Sequence, residues 1–181
     1  MPPKQRITRE MIMERAFDMF CREGMDAVNA RSVAKALNCS TQPIFSYYTG
    51  MQELRDTLDL KAQEMFAEQV LSVKQSETWL TDLGEAFVRF ACAQPYVYKH
   101  LYESVCQDAA RLELIASIGL EIAAHIAQKE GVSEEQAKTV AKNTVVYCIG
   151  LAAVSMVNEA YAGDVRAKIE AAYHANLSVN A

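Results

Sequence analysis

The sequence predicts an all-α protein: a three-helix head that carries a helix-turn-helix, followed by a larger helical body, about nine helices in all. Three observations predict it. Apolar residues recur at helical spacing along the chain, and no segment alternates as a half-buried strand does. Gly and Pro, only 7 and 4 of 181 residues, fall where helices should stop or start.

The first helix is read from Ile12, Ala16, Met19 and Phe20 at i, i+4, i+7 and i+8, with Thr8 as N-cap, Glu10 and Glu14 near its start and Gly24 as its stop. It should run over roughly 8–23. Asn29 is the expected N-cap of a second, short helix that continues through Val33, Ala34 and Leu37 to about Asn38. Ser40 is the expected N-cap of a third, with Pro43 in its first turn, Ile44, Tyr47 and Tyr48 as its apolar face, and its end near Thr49-Gly50. A longer helix followed by two short ones across a three- or four-residue turn is the layout of a helix-turn-helix, whose second helix reads the groove.

From Met51, the pattern Leu54, Leu58, Met65, Phe66 and Val70 predicts a connecting helix, and the domain boundary falls along it. Residues 1–50 form the head, extending to about 65 through this helix, and residues 51–181 form the body. Breaks at Pro95, Gly131-Val132-Ser133 and Gly163-Asp164 divide the body into helices over roughly 77–93, 95–106, 109–130, 133–162 and 164–178. Ser133 with Gln136 reads as a capping box for the longest of them. That helix carries Val140, Thr144, Cys148, Leu151 and Ser155 down one side and Val145, Ile149, Ala152 and Met156 down another, too wide an apolar arc for a surface helix. It is either the central helix of a monomeric bundle or one buried both in its own subunit and against a second.

Composition narrows the function. The net charge of −5 divides unevenly: residues 1–50 hold seven Lys/Arg against five Asp/Glu, and the remainder eleven against eighteen. A weakly basic head on an acidic body fits a DNA-binding module attached to something that does not touch DNA. The longest apolar stretch, Val145 to Val157, reads as too short and too mixed to span a bilayer. The basic start, Met-Pro-Pro-Lys-Gln-Arg, is followed by Thr8, Arg9, Glu10 and Glu14 rather than by a signal-peptide core, so a cytoplasmic location is expected. Cys21, Cys39, Cys92, Cys106 and Cys148 lack the close spacing of zinc or redox motifs and read as buried thiols; an oxidant-sensing thiol would need a low pKa and exposure.

Chemistry of the enzymatic kind finds little footing. His100, His125 and His174 are dispersed, and Glu121 with His125 is an i, i+4 pair rather than the Glu-x-x-His repeat of di-iron bundles. With no Gly-rich phosphate loop and no nucleophile elbow, no catalytic residue, metal site or cofactor is expected.

The stretch from Ala27 to Leu54 carries a capped second helix, Val33-Ala34 packing inward, Ser40 before the recognition helix, the aromatics Phe45, Tyr47 and Tyr48, and then Glu53-Leu54. With Phe20 and Gly24 upstream, it closely resembles the tetracycline-repressor-like (TetR) family of transcriptional regulators. The resemblance is strong over about residues 6–65; beyond, it extends to helix count and the Ile149-Gly150-Leu151-Ala152 segment. It implies a dimeric repressor that binds a palindromic operator in double-stranded DNA, pairs through its last two helices at about 133–178, and leaves DNA when a small-molecule effector binds.

The resemblance also implies roles for single residues. Arg31 is placed to reach a base edge or phosphate, and Thr41, Gln42, Ser46 and Tyr47 lie where similar proteins touch DNA, Arg suiting guanine and Gln adenine. Phe45 stands where the family usually has a Tyr that bonds a phosphate, and Met51 where it generally has Lys. Ser40 to Gly50 holds no charged residue, so phosphate contacts fall to Lys4, Arg6, Arg9, Arg31, Lys35 and helix termini. In the body, Trp79, Phe87, Phe90, Tyr96, Tyr98, Tyr102, Met156 and Tyr161 lie on helices that surround a ligand cavity in similar proteins; Trp79, Phe87, Phe90, Tyr98, Tyr102 and Met156 are the effector candidates. Ligand entry would tilt the connecting helix and mismatch the two heads to half-sites roughly 34 Å apart. The alternative is a helical adaptor that has lost DNA binding.

Overall fold

The computed structural model describes residues 7–105 and 109–179. Among them are nine α-helices and no strand: α1 (Arg9–Glu23), α2 (Ala30–Ala36), α3 (Gln42–Tyr47), α4 (Met51–Phe66), α5 (Trp79–Ala93), α6 (Pro95–Val105), α7 (Ala109–Glu130), α8 (Glu134–Val157) and α9 (Val165–Val179). They form two compact units, one comprising the chain up to Met65 with Tyr96–Leu101, the other Phe66–Pro95 with the chain from Tyr102 onward. Nothing in the sequence pattern had set 96–101 apart from the rest of α6.

In the first unit, local chemistry sets the helix ends. The Thr8 hydroxyl accepts the Met11 amide at 3.3 Å, which opens α1. Ile12, Ala16, Phe17 and Phe20 are its buried face, and Gly24, at φ +89°, ends it with its amide on the Phe20 carbonyl. A side chain at Gly24 would be strained by that φ and would sit 3.3 Å from the Tyr96 ring. Asn29 and Ser32 cap α2 reciprocally: the Ser32 amide donates to Asn29 Oδ1 at 3.0 Å and the Asn29 amide to Ser32 Oγ at 3.1 Å. Asn38, at φ +51°, closes α2, with the Cys39 amide reaching back to the Ala34 carbonyl and the Asn38 amide to that of Lys35. That is a Schellman stop, which Asn tolerates better than most residues.

Ser40 does not cap α3. The helix starts at Gln42, with Thr41 in helical conformation at the cap position and no side-chain capping bond there. The Asn38 turn places Ser40 one residue too early, and the Thr41 carbonyl takes the Ile44 amide instead. In α4, Leu54, Leu58 and Ala62 face inward, and the helix gives way to a π-turn over Ala67–Leu71. His100 joins the first unit by a 2.9 Å bond to Asp59 and an edge-on ring contact with Phe20.

The second unit is organised by α8, which packs on α5, α7 and α9. Its buried face is Ala137, Val140, Ala141, Thr144, Cys148, Leu151, Ala152 and Ser155, the stripe expected from the sequence. Of the second expected stripe Ala152 is buried, while Val145, Ile149 and Met156 are half-buried. The Ser133 hydroxyl accepts the Gln136 amide at 3.2 Å, which is the Ser half of the expected capping box. Where the sequence reading stopped at a 13-residue apolar run, α8 as a whole is long and apolar enough by length and composition to cross a membrane. The difference arises because Lys142, Asn143 and Thr144 end the strict run, while Val140 and Ala141 beyond them keep the mean hydropathy of a longer stretch high. Arg166, at the start of α9, ties it to α5 through Asp82 and through Glu85 at 3.3 Å.

α5 lies close against both α8 and α9 at Gly84. A Cβ there would meet Ile169 Cδ1 at 2.9 Å and Cys148 Sγ at 3.1 Å, both side chains being buried. Gly84→Ala is therefore expected to destabilise the second unit by about 1–2 kcal/mol, overpacking outweighing the roughly 1 kcal/mol that Ala contributes over Gly inside a helix. Thermal unfolding checks this: a midpoint equal to or above that of the parent would show that the contact relaxes freely.

Burial pushes the Cys148 thiol up to about 11, and the Cys21 and Cys92 thiols upward as well. Thiols so protonated are poor oxidant sensors. Cys148 is buried as expected, but Cys92 is exposed because it lies on the outer side of α5. Cys106 lies outside the described residues.

Candidate nucleic-acid interface

The arrangement of α2 and α3 follows from two buried anchors. Ile44 is fully buried and Tyr48, just past the end of α3, is 1% exposed; a six-residue helix with these two inward must present its other side chains outward. Gln42, Phe45, Ser46 and Tyr47 are exposed, Phe45 by 52%, and Thr41 is half-exposed. Gln42, Phe45 and Ser46, spaced i, i+3 and i+4, share one face of α3. Tyr47 lies about 140° round the helix from Gln42 at 100° per residue. Its hydroxyl donates to the Ile7 carbonyl at 3.2 Å. The Ser46 hydroxyl is similarly occupied, donating to the Gln42 carbonyl at 2.9 Å.

Arg31 and Lys35 stand one turn apart on the exposed side of α2 and make no hydrogen bond or ion pair among the described residues. Their charges are available to a ligand. Arg9 is more committed: its guanidinium lies 5.1 Å from the centre of the Tyr48 ring and 3.8 Å from the Glu53 carboxylate. Lys4 and Arg6 lie outside the described residues.

Two residues take roles that the sequence reading did not assign them: Glu53, named there only as part of the resemblance, and Arg55. Glu53 accepts the Thr49 amide at 2.7 Å and the Thr49 hydroxyl at 2.8 Å, which fixes the turn between α3 and α4. Those bonds, led by the backbone amide and aided by Arg9, hold its carboxyl below the ordinary range. The Thr49-x-x-x-Glu53 spacing was the available signal. Arg55 on α4 donates to the Val28 carbonyl at 3.3 Å, next to the cap of α2. No local spacing announces a bond across 27 residues.

Several effector candidates gather in the second unit. Phe87 and Phe90 meet Phe66 edge-on, at 6.2 and 5.3 Å between ring centres. Trp79 is buried edge-on to His125 at 5.0 Å and donates its indole N–H to the Val73 carbonyl. Met156 is half-buried and Tyr102 44% exposed, while Tyr98 is buried and belongs to the first unit. Phe66 and His125, read in the sequence as a connecting-helix apolar position and a dispersed histidine, were not among the effector candidates. The buried Thr144 and Ser155 hydroxyls have no hydrogen-bond partner among the described residues. No group of three or more His, Cys, Asp or Glu among those residues is arranged to hold a metal ion.

No family model matches the chain. Over 102 residues it is 22% identical to YobS, an HTH-type transcriptional regulator of Bacillus subtilis, a match covering 55% of this chain and 53% of that protein. The chain thus spans about half the length of the curated relative it matches. Among solved structures, a transcriptional regulator from Rhodococcus sp. Rha1 is 15% identical, with 96% of this chain and 95% of that one covered and a TM-score of 0.59. FadR of Thermus thermophilus, a TetR-family repressor whose structure contains lauroyl-CoA, is 19% identical, with 94% and 93% covered and a TM-score of 0.52. At these identities the likeness is one of architecture, and the chain has the fold of the TetR-family transcriptional regulators.

Proposed function

We propose that this protein is a sequence-specific DNA-binding transcriptional regulator, a dimeric repressor that leaves its operator when a small molecule enters the second unit. The observation that carries the reading is the outward face of α2 and α3. Gln42, Phe45 and Ser46 project together while Ile44 and Tyr48 anchor the helix, and Arg31 and Lys35 on the exposed side of α2 have no partner among the described residues. Polar and apolar side chains on a short helix suit base edges in the major groove, and unpaired basic ones suit phosphates.

A second copy of the chain is the proposed partner of α8 and α9. On α8, Val146, Gly150, Ala153, Val154 and Val157 form an exposed apolar stripe, and on α9 Ala167, Ala171 and Ala175 are exposed at successive turns. Val146 is 60% and Val157 88% exposed, a cost to any monomer that pairing would remove. For the effector, support comes from the Phe66, Phe87 and Phe90 cluster and from the unspent hydrogen-bonding capacity of Thr144 and Ser155. The lauroyl-CoA in the FadR structure is a precedent within this fold for a small molecule of part-apolar chemistry.

Selection of bound fragments from random duplex DNA tests the reading. An inverted repeat with half-sites about one helical turn apart is expected. A monomer indifferent to sequence at low salt would overturn it and leave the adaptor. On the selected site, Arg31→Ala should cost roughly tenfold to a hundredfold and relax one base position, whereas Lys35→Ala should weaken all sequences alike and lower the salt slope by about 0.9. With so few free cations on the face, a log–log salt slope steeper than about −8 would contradict the interface.

A further inference from the structure

Four side chains of α3 point outward: Gln42, Phe45, Ser46 and Tyr47. Two of them have already used their protons. The Ser46 hydroxyl donates to the Gln42 carbonyl at 2.9 Å and the Tyr47 hydroxyl to the Ile7 carbonyl at 3.2 Å, and a hydroxyl has one proton to give. No hydrogen bond, ion pair or ring contact among the described residues engages the Gln42 amide or the Phe45 ring. These two stand three residues apart on one face, which puts their Cβ atoms about 5–6 Å from one another, the span of one to two base-pair steps at about 3.4 Å each. With no Arg or Lys between Ser40 and Gly50, α3 lacks the side chains that favour guanine. A carboxamide and a phenyl ring remain. In the major groove these suit, respectively, the N6 and N7 atoms of adenine and the 5-methyl group of thymine.

We propose, on the reading of the chain as a DNA binder, that Phe45 is a specificity-determining residue that reads the methyl group of a thymine in the major groove, with Gln42 reading an adenine within two base pairs of it. The part of each half-site that meets α3 then consists of A·T pairs, and the guanine-directed side chain is Arg31 on α2. Two properties of Phe45 support the assignment. Its ring is exposed on a helix anchored by Ile44 and Tyr48, so α3 is held in place without it. Lacking a hydroxyl, the ring has no proton for a phosphate, and what it gains from DNA is burial against an apolar group. The thymine methyl is the apolar group that base edges present in the major groove.

The test uses the selected duplex with single thymines replaced by deoxyuridine, which keeps the base pair and removes only the methyl group, and single adenines replaced by 7-deazaadenine, which removes the N7 acceptor. Affinity is measured for the full chain as the parent, Phe45→Ala and Gln42→Ala. Deoxyuridine at one thymine of each half-site should cost the parent about fourfold, the factor expected for burying a single methyl group. That penalty should vanish in Phe45→Ala and persist in Gln42→Ala. An adenine within two base pairs of that thymine should show the reverse: its 7-deaza form should weaken binding severalfold for the parent and for Phe45→Ala, and cost Gln42→Ala nothing further. The proposal is overturned if no thymine is sensitive to loss of its methyl, or if Phe45→Ala keeps the penalty in full. A sensitive thymine with no such adenine near it overturns the pairing with Gln42, and selected half-sites made of G·C pairs alone overturn the whole. In each of these results the parent still picks out a sequence, so the DNA-binding reading stands. A parent that selects no sequence removes that reading and this proposal with it.

Discussion

Replacing Val146 and Val154 together with glutamate is expected to leave the protein folded, to convert a dimer into a monomer, and to weaken operator binding by a factor of about 10² to 10⁴. Both side chains are on the outer face of α8, 60% and 42% exposed, so the substitutions empty no core. Nothing within 4 Å of Gly150, between them on the same stripe, would obstruct a close approach by another helix. Across a two-fold axis the carboxylates at 146 and 154 would be brought against those of the other copy, and like charges in a desolvated interface are costly. The loss of DNA affinity follows because the second half-site is bound intramolecularly only while the two heads are joined. Sedimentation and operator binding on the same preparation check both parts. A variant that still sediments as a dimer would put the interface elsewhere, and a monomeric parent would remove the dimer altogether.

Ile44→Ala should abolish DNA binding by a different route. α3 has six residues, far below the length at which a helix sustains itself in water, so its place depends on packing. Ile44 is its one buried residue, fully enclosed, and truncating such a side chain costs about 2–5 kcal/mol. A unit of this size has little stability in reserve. The expected result is an early loss of helical signal on heating, the second unit unfolding later as in the parent, and no binding to the selected duplex. Phe45→Ala, at a position 52% exposed, is the control and should leave the melting profile unchanged. Parental binding by Ile44→Ala would mean that α3 is not positioned by its core anchor.

The parts of the fold that were legible are those settled within about one helical turn. Thr8, Asn29 and Gly24 act at their expected helix ends, and Val140, Thr144, Cys148, Leu151 and Ser155 line the buried side of α8 as their spacing predicts. The error at Ser40 is instructive, since a good capping residue was present but the Asn38 turn had already decided where α3 begins. The exposed set on α3 was legible in part: of the expected apolar face, Ile44 and Tyr48 are buried, but Tyr47 is exposed because its register carries it away from those two anchors. The occupation of Tyr47, the contacts of Arg9 and the reach of Arg55 to Val28 were not. Each depends on residues brought together from far apart in the chain.

The sequence by itself determined the helices, the caps at Thr8, Asn29 and Ser133 and the buried side of α8, because hydrogen bonds and side-chain contacts at i, i+3 and i+4 depend only on neighbouring residue types. Tertiary structure alone decided which outward groups remain free for a ligand. Among the described residues Arg31 and Lys35 are left unpaired while Tyr47 and Arg9 are engaged, since a donor's availability depends on the acceptors that folding brings within about 3–4 Å of it.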